Sequence, residues 1–168
     1  DVLFMGKNAR FHQEYTCFPY PLWMRDMYEL REIAHSDMEF LRLAEADYLK
    51  SVVCFDSICE KYPNLSKRCK VAIENEWKYR FAATLMQNRF NLGRRQKFEP
   101  EYMEYVDSHF SINEPLCYFI TQHFSTFLRD YTSYVDHQKF RYVDGVGVVY
   151  IPDDRFYEAL RRLKEGGR

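Results

Sequence analysis

The chain is predicted to be mainly α-helical, with antiparallel helix pairs and one small β-hairpin near the C-terminus. Three observations carry that prediction. Apolar residues recur at helical spacing through most of the stretch from 22 to 135. Helix-start signals return at short intervals. After Lys139 the texture switches to β-branched residues around an Asp-Gly step. Composition agrees: 46% hydrophobic and 29% charged residues describe a chain that folds rather than one that stays disordered.

Three regions follow: an irregular N-terminal arm over 1–20, a helical domain over 21–139, and a hairpin with a terminal helix over 140–168 packed on the same domain. Gly6, Pro19 and Pro21 punctuate the arm, and Phe4, Phe11, Tyr15, Phe18 and Tyr20 lie along it without a period. A first helix runs from Leu22 to Ala34 through Trp23, Met27, Leu30 and Ile33. Ser36-Asp37-Met38-Glu39 is a capping box for the second helix, because the Ser hydroxyl can accept from the third backbone N–H while Glu39 reaches back. That helix carries Phe40, Leu41, Leu43, Ala44, Tyr48 and Leu49. Val52, Val53, Phe55 and Ile58 continue it or begin another, up to the stop at Tyr62-Pro63.

Asn64 or Ser66 can cap a long helix from Leu65 to Leu92, which contains Trp77, with Gly93 as its C-terminal stop. Glu99-Pro100-Glu101 opens a helix to about Phe110, and Asn113-Glu114-Pro115 opens one that reaches Val135. Residues 140–151 read as the hairpin, and Arg155 to Lys164 as a last amphipathic helix. Short loops between successive helices favour antiparallel pairs, which can stack in the manner of tetratricopeptide-like or pentatricopeptide-like arrays. No residue pattern recurs at a fixed period of about 34 residues.

The motif search weighs against chemistry. Glu32 and His35 make one Glu-x-x-His pair, whereas di-iron bundles need two and further carboxylates. Cys54, Cys59 and Cys69 lack a partner Cys-x-x-Cys or a His pair at zinc spacing. The spacing of Cys59 and Cys69, known from small helical-hairpin proteins of the mitochondrial intermembrane space, occurs once where those proteins need it twice. His109, His123 and His137 share no ligand spacing with the cysteines. Gly145-Val146-Gly147 is hairpin chemistry, not a nucleotide loop, and no Gly-x-Ser-x-Gly is present. Asp153-Asp154 reads as a helix cap. Catalytic, cofactor-binding and metal-ligating residues are therefore expected to be none.

Five cysteines in irregular spacing fit free thiols in a reducing compartment. No apolar run reaches the roughly 18 residues of a membrane span. With a net charge of −1 there is no global basic field, so nucleic acid is not favoured. Basic clusters at Lys67-Arg68-Lys70, Arg94-Arg95-Lys97 and Arg161-Arg162-Lys164 leave an RNA-binding helical-repeat protein as the alternative. The load of 14 Tyr and 14 Phe suits protein interfaces as well as a core. The expectation is a non-catalytic subunit of a larger protein complex, with partner contacts at Phe4, Phe11, Tyr15, Phe18, Tyr20, Trp23 and Trp77.

Pro21-Leu22-Trp23-Met24-Arg25-Asp26-Met27-Tyr28-Glu29-Leu30, the long helix at 65–92 and the ending Asp153-Asp154-Arg155-Phe156-Tyr157-Glu158-Ala159-Leu160-Arg161-Arg162-Leu163 carry a resemblance. In these stretches the chain resembles the small accessory subunit of the F1 sector of mitochondrial ATP synthase in trypanosomes and their euglenozoan relatives. The resemblance implies helix pairs similar to pentatricopeptide repeats, a place in the mitochondrial matrix, binding to the outer face of the ATP synthase α subunit, and no catalytic residue.

Overall fold

A computed structural model describes residues 5–18, 24–90, 97–113 and 122–137, with the backbone of 140–143 and 147–150. Among these the fold is mainly helical. Six α-helices follow in chain order: α1 (Ala9–Tyr15), α2 (Met27–Ile33), α3 (Asp37–Lys61), α4 (Lys67–Gln87), α5 (Pro100–His109) and α6 (Gln122–His137). A single 3-10 turn, Asn88–Phe90, extends α4.

Local chemistry sets the boundaries. Gly6 turns the chain at φ +93°, a region that L side chains rarely adopt, and Ala9 N–H bonds back to its carbonyl. The arm therefore contains the helix α1, which the sequence reading did not expect. The scattered rings hid it: Phe11 and Tyr15 are a single helical turn apart and their ring centroids lie 5.9 Å from each other. Helix α2 starts at Met27 and not at Leu22, because Asp26 caps it. The Asp26 carboxylate accepts from the N–H groups of Tyr28 and Glu29, and Glu29 returns a bond to Asp26 N–H.

At α3 the Ser36 hydroxyl accepts from Glu39 N–H at 3.1 Å, but the Glu39 carboxylate accepts from His35 N–H at 2.7 Å, one residue earlier than a capping box requires. Asp37–Lys61 is one uninterrupted helix, closed at its cap Tyr62 before Pro63. Ser66 caps α4, and Pro100 opens α5.

Facing side chains fix the directions of the helices. Asp37 at the start of α3 meets Asn88 at the end of α4, Tyr48 stacks on Phe81, and Phe55 meets Trp77 near the closed end. Thus α3 and α4 run antiparallel. The contacts Tyr102–Leu85, Phe98–Tyr134 and Asp107–Tyr131 bring α5 back beside α4 and set it antiparallel to α6. The pairs Glu76–His123, Tyr79–Phe124 and Arg89–Asp130 advance together, so α4 and α6 lie side by side in parallel. Helix α4 packs most closely on α6 and next on α3, with α5 and α2 against α3 and α1 against α4.

The core divides in two. The larger part gathers Leu30, Phe40, Tyr79, Phe81, Leu85, Met86, Tyr102, Val106, Phe124 and Phe127 from α2 to α6. The smaller packs Phe18, Cys69, Ile73 and Trp77 under α1. Helix α4 belongs to both, and the run Phe81, Ala82, Ala83, Leu85, Met86 is buried on every side. Five tyrosine hydroxyls tie the layers together. Tyr79 donates to Ser111 C=O (2.8 Å), Tyr102 to Leu85 C=O (2.8 Å), Tyr105 to Glu45 (2.8 Å) and Tyr131 to Asp107 (2.8 Å), while Tyr134 accepts from Phe98 N–H (3.1 Å). Each buries an apolar ring and satisfies its polar tip.

The backbone of 140–143 runs antiparallel to that of 147–150, with Phe140 opposite Tyr150. The connecting residues 144–146, the side chains of this segment and the terminal helix expected at 155–164 lie outside the described residues. The expected hairpin is not supported as part of the fold.

Tyr102 is fully buried, and its hydroxyl donates to Leu85 C=O in the last turn of α4, which also accepts from Asn88 N–H, so Tyr102→Phe removes one of two bonds to that carbonyl. Urea unfolding should show a loss of about 1.5 kcal/mol for Tyr102→Phe. For the exposed Tyr28→Phe the loss should stay within about 0.5 kcal/mol.

Candidate functional site

Helix α3 decides what the surface offers. Its inward stripe is Phe40, Ala44, Asp47 and Ser51, at spacings of four, three and four. Leu49 and Val53, one turn apart, then fall on the opposite face, where they are 55% and 67% exposed. Tyr28 and Ile33 on the adjacent α2 are 68% and 48% exposed. Sequence periodicity counts Leu49, Val53 and Ile33 with the core. The structure turns all three out, Leu49 and Val53 because the stripe through Asp47 holds the inward side of α3.

Asp47 is buried, at 2% exposure, and carries three partners. The Arg25 guanidinium grips it with Nε to Oδ2 at 2.7 Å and Nη2 to Oδ1 at 3.0 Å, Arg25 N–H donates at 3.2 Å, and Lys50 Nζ reaches Oδ1 at 3.2 Å. Burial by itself pushes the carboxyl pKa up; these charged donors outweigh it and hold the group below the usual carboxylate range. The same bond raises Arg25. This clamp fixes the segment before α2 to α3, and with it the rotation of α3 about its axis.

Most of the contact residues named from the sequence are elsewhere. Phe18 and Trp77 are buried, 7% and 4% exposed, in an aromatic triad with Phe55 at centroid separations of 5.7–6.2 Å. Their rings are covered by this chain itself and do not form a contact surface. Phe11 is half-buried beneath the Arg68 guanidinium, 5.1 Å from its ring centre. Tyr15 is 39% exposed. Phe4, Tyr20 and Trp23 lie outside the described residues.

The arm is seated by polar contacts. Arg10 bonds Glu14 at 2.8 Å and Asn64 C=O at 3.3 Å, the Ser66 hydroxyl donates to Glu14, and Arg68 reaches Asn8 at 3.4 Å. One of the three basic clusters is thus partly engaged with α1. Lys97 of the second is exposed, whereas Arg94, Arg95 and the cluster at 161–164 lie outside the described residues.

A cleft of about 490 Å³ opens between α4, α5 and α6, lined by Lys78, Asp107, Ser108, His109, Ser111 and Tyr131 among others. Its polar groups are used locally. Asp107 accepts from Tyr131, and the His109 ring stacks on Tyr105 at 3.9 Å with Nδ1 2.8 Å from Tyr105 C=O. His123, on the first turn of α6, lies 3.2 Å from Glu76 of α4. Burial holds its pKa below the ordinary value against the pull of Glu76, and Arg80 adds to the lowering. His35 and Glu32 are exposed. Cys59 and Cys69 sit on different helices, either side of the turn at 62–66. Among the described residues no three His, Cys, Asp or Glu side chains converge in an arrangement that could hold a metal, and no helix is long and apolar enough to cross a membrane.

Comparison with family models, curated proteins and solved structures gives no match.

Because the folded Asp47 pKa is depressed, its contribution is fully present above the unfolded value of about 3.9 and disappears as pH falls through the folded value. Asp47→Asn should destabilise the protein by about 2 kcal/mol at pH 7. The gap between the denaturation curves of the two proteins should hold down to about pH 4 and narrow as the pH is taken lower.

Proposed function

We propose that the chain is a non-catalytic structural subunit that docks onto other proteins of a larger complex through the outer face of α3. The observation that carries this reading is the outward pair Leu49 and Val53 on a helix whose rotation the Arg25–Asp47 clamp fixes. Large apolar side chains one turn apart, with Tyr28 and Ile33 exposed on the neighbouring helix, give a partner apolar area to cover. Stacked helical hairpins of the pentatricopeptide-like kind present such outer helix faces side by side.

The assembly to test first is the F1 sector of mitochondrial ATP synthase, with the outer face of the α subunit as the docking partner and the matrix as the compartment. The whole-chain resemblance supports that choice. RNA is the weaker reading, since Arg68 of the basic cluster on α4 is turned toward α1.

Tagged chain should be purified gently from its native cells with nuclease present, beside a Leu49→Asp/Val53→Asp variant. Both positions are exposed, so the thermal midpoint should be unchanged. Protein subunits at fixed stoichiometry should accompany the native chain and fall at least about tenfold with the variant. Recovery of ATP synthase α and β subunits supports the specific assembly, and another set of proteins removes that assembly while leaving the docking reading. A chain that elutes alone, or a variant that retains its partners fully, overturns the α3 face as the docking surface.

A further inference from the structure

All four cysteines among the described residues, Cys17, Cys54, Cys59 and Cys69, are free thiols gathered around the smaller core cluster of Phe18, Ile73 and Trp77. The spacing of thiols in the sequence gave no such grouping; the α3/α4 hairpin and the end of α1 bring them together. The register of that hairpin is fixed by Asp37 opposite Asn88, Tyr48 opposite Phe81 and Phe55 opposite Trp77. Each step toward the end of α3 is matched by a step back along α4. One further turn places Cys59 opposite Ile73, a single turn from Cys69 on α4, and both thiols pack in the same cluster.

We propose that Cys59 and Cys69 form a redox-modification site, a dithiol that closes to a disulfide in exchange with an oxidised small-molecule disulfide such as oxidised glutathione. Cys59 is half-buried and so can be reached from solvent, whereas Cys69 is fully enclosed. The Cys59 thiolate attacks one sulfur of oxidised glutathione, and the S–S bond breaks to release one glutathione thiolate, which takes up a proton. Cys69 then gives its proton to solvent and attacks the Cys59 sulfur, and the second glutathione leaves. Two electrons pass from the protein dithiol to the glutathione disulfide, and two glutathione thiols are formed. Burial raises both protein thiols, Cys69 to about 11, while Lys70 partly offsets the rise at Cys59. The order of attack follows, and closure is slow at neutral pH and faster at pH 9. The closed bond clamps α3 to α4 beside the seat of α1.

The full chain should be incubated with oxidised glutathione, quenched by acid alkylation and digested without reduction for mass spectrometry. The expected product is a Cys59–Cys69 linked peptide, with a thermal midpoint raised on the order of 5 °C and restored by dithiothreitol. Cys69→Ala should trap glutathione on Cys59. Should Cys69→Ala unfold, Cys59→Ala, at a half-exposed position, must abolish the link with the reduced-state midpoint unchanged. A dominant link through Cys17 or Cys54, a persistent Cys59 adduct in the native chain, or five alkylated thiols overturns the assignment.

Discussion

A stretch of helix that is apolar around its whole circumference must be enclosed on every side, and the later part of α4, from Phe81 to Met86, is such a stretch. Five of the six residues from Phe81 to Met86 are buried, so neither α3 nor α6 alone can cover it. The arrangement of everything else follows from that demand. Helix α3 covers one side as an antiparallel partner, α6 another as a parallel one, and α5 closes the gap between them. Tyrosines make this enclosure workable. Their rings fill the space between layers, and their hydroxyls bond backbone carbonyls of neighbouring segments, Ser111 C=O and Leu85 C=O among them. Among the described residues the large rings are mostly interior, not on a partner surface.

The same enclosure traps three carboxylates, and each is matched. Asp37 takes Asn88 and Arg31, Asp47 takes Arg25 and Lys50, and Asp130 takes Arg89 and Arg129. Such pairs add little net stability against apolar replacements of like volume, but breaking one strands a buried charge. Their placement suits a positional role. Asp37–Asn88 ties the open end of the α3/α4 hairpin, Arg89–Asp130 sets the register of α4 on α6, and Asp47 fixes which residues of α3 face outward. The candidate docking face is in that sense a consequence of a buried ion pair on the other side of the same helix.

Much of the fold was legible in the sequence because capping chemistry is local. Ser36, Ser66, Pro63 and Pro100 mark ends that need only their immediate neighbours. The misplaced ends have tertiary causes. Asp26 overrides Pro21 as the start of α2 by binding two orphan N–H groups, and α4 tightens into a 3-10 turn at Asn88, where Asn88 and Arg89 reach Asp37 and Asp130, rather than running on toward Gly93. The candidate site was less legible. Apolar periodicity names Leu49 and Val53 without saying which side of α3 is inside, and an aspartate on the inward stripe is the opposite of the usual signal. Trp77 and Phe18 looked like contact rings because they flank irregular or long segments, yet large rings are most often buried when a neighbouring helix can cover them. The thiol cluster depends on a hairpin register that spacing alone does not reveal.

Native-state hydrogen exchange of the isolated protein, resolved by residue, tests the primacy of α4. Amides from Trp77 to Met86 should exchange only through global opening, with a free energy equal to that from denaturant unfolding, while α1 and α2 open at lower cost. Exchange in the 77–86 stretch as fast as in α1, or well below the global value, would show that α4 is not the axis on which the molecule is built.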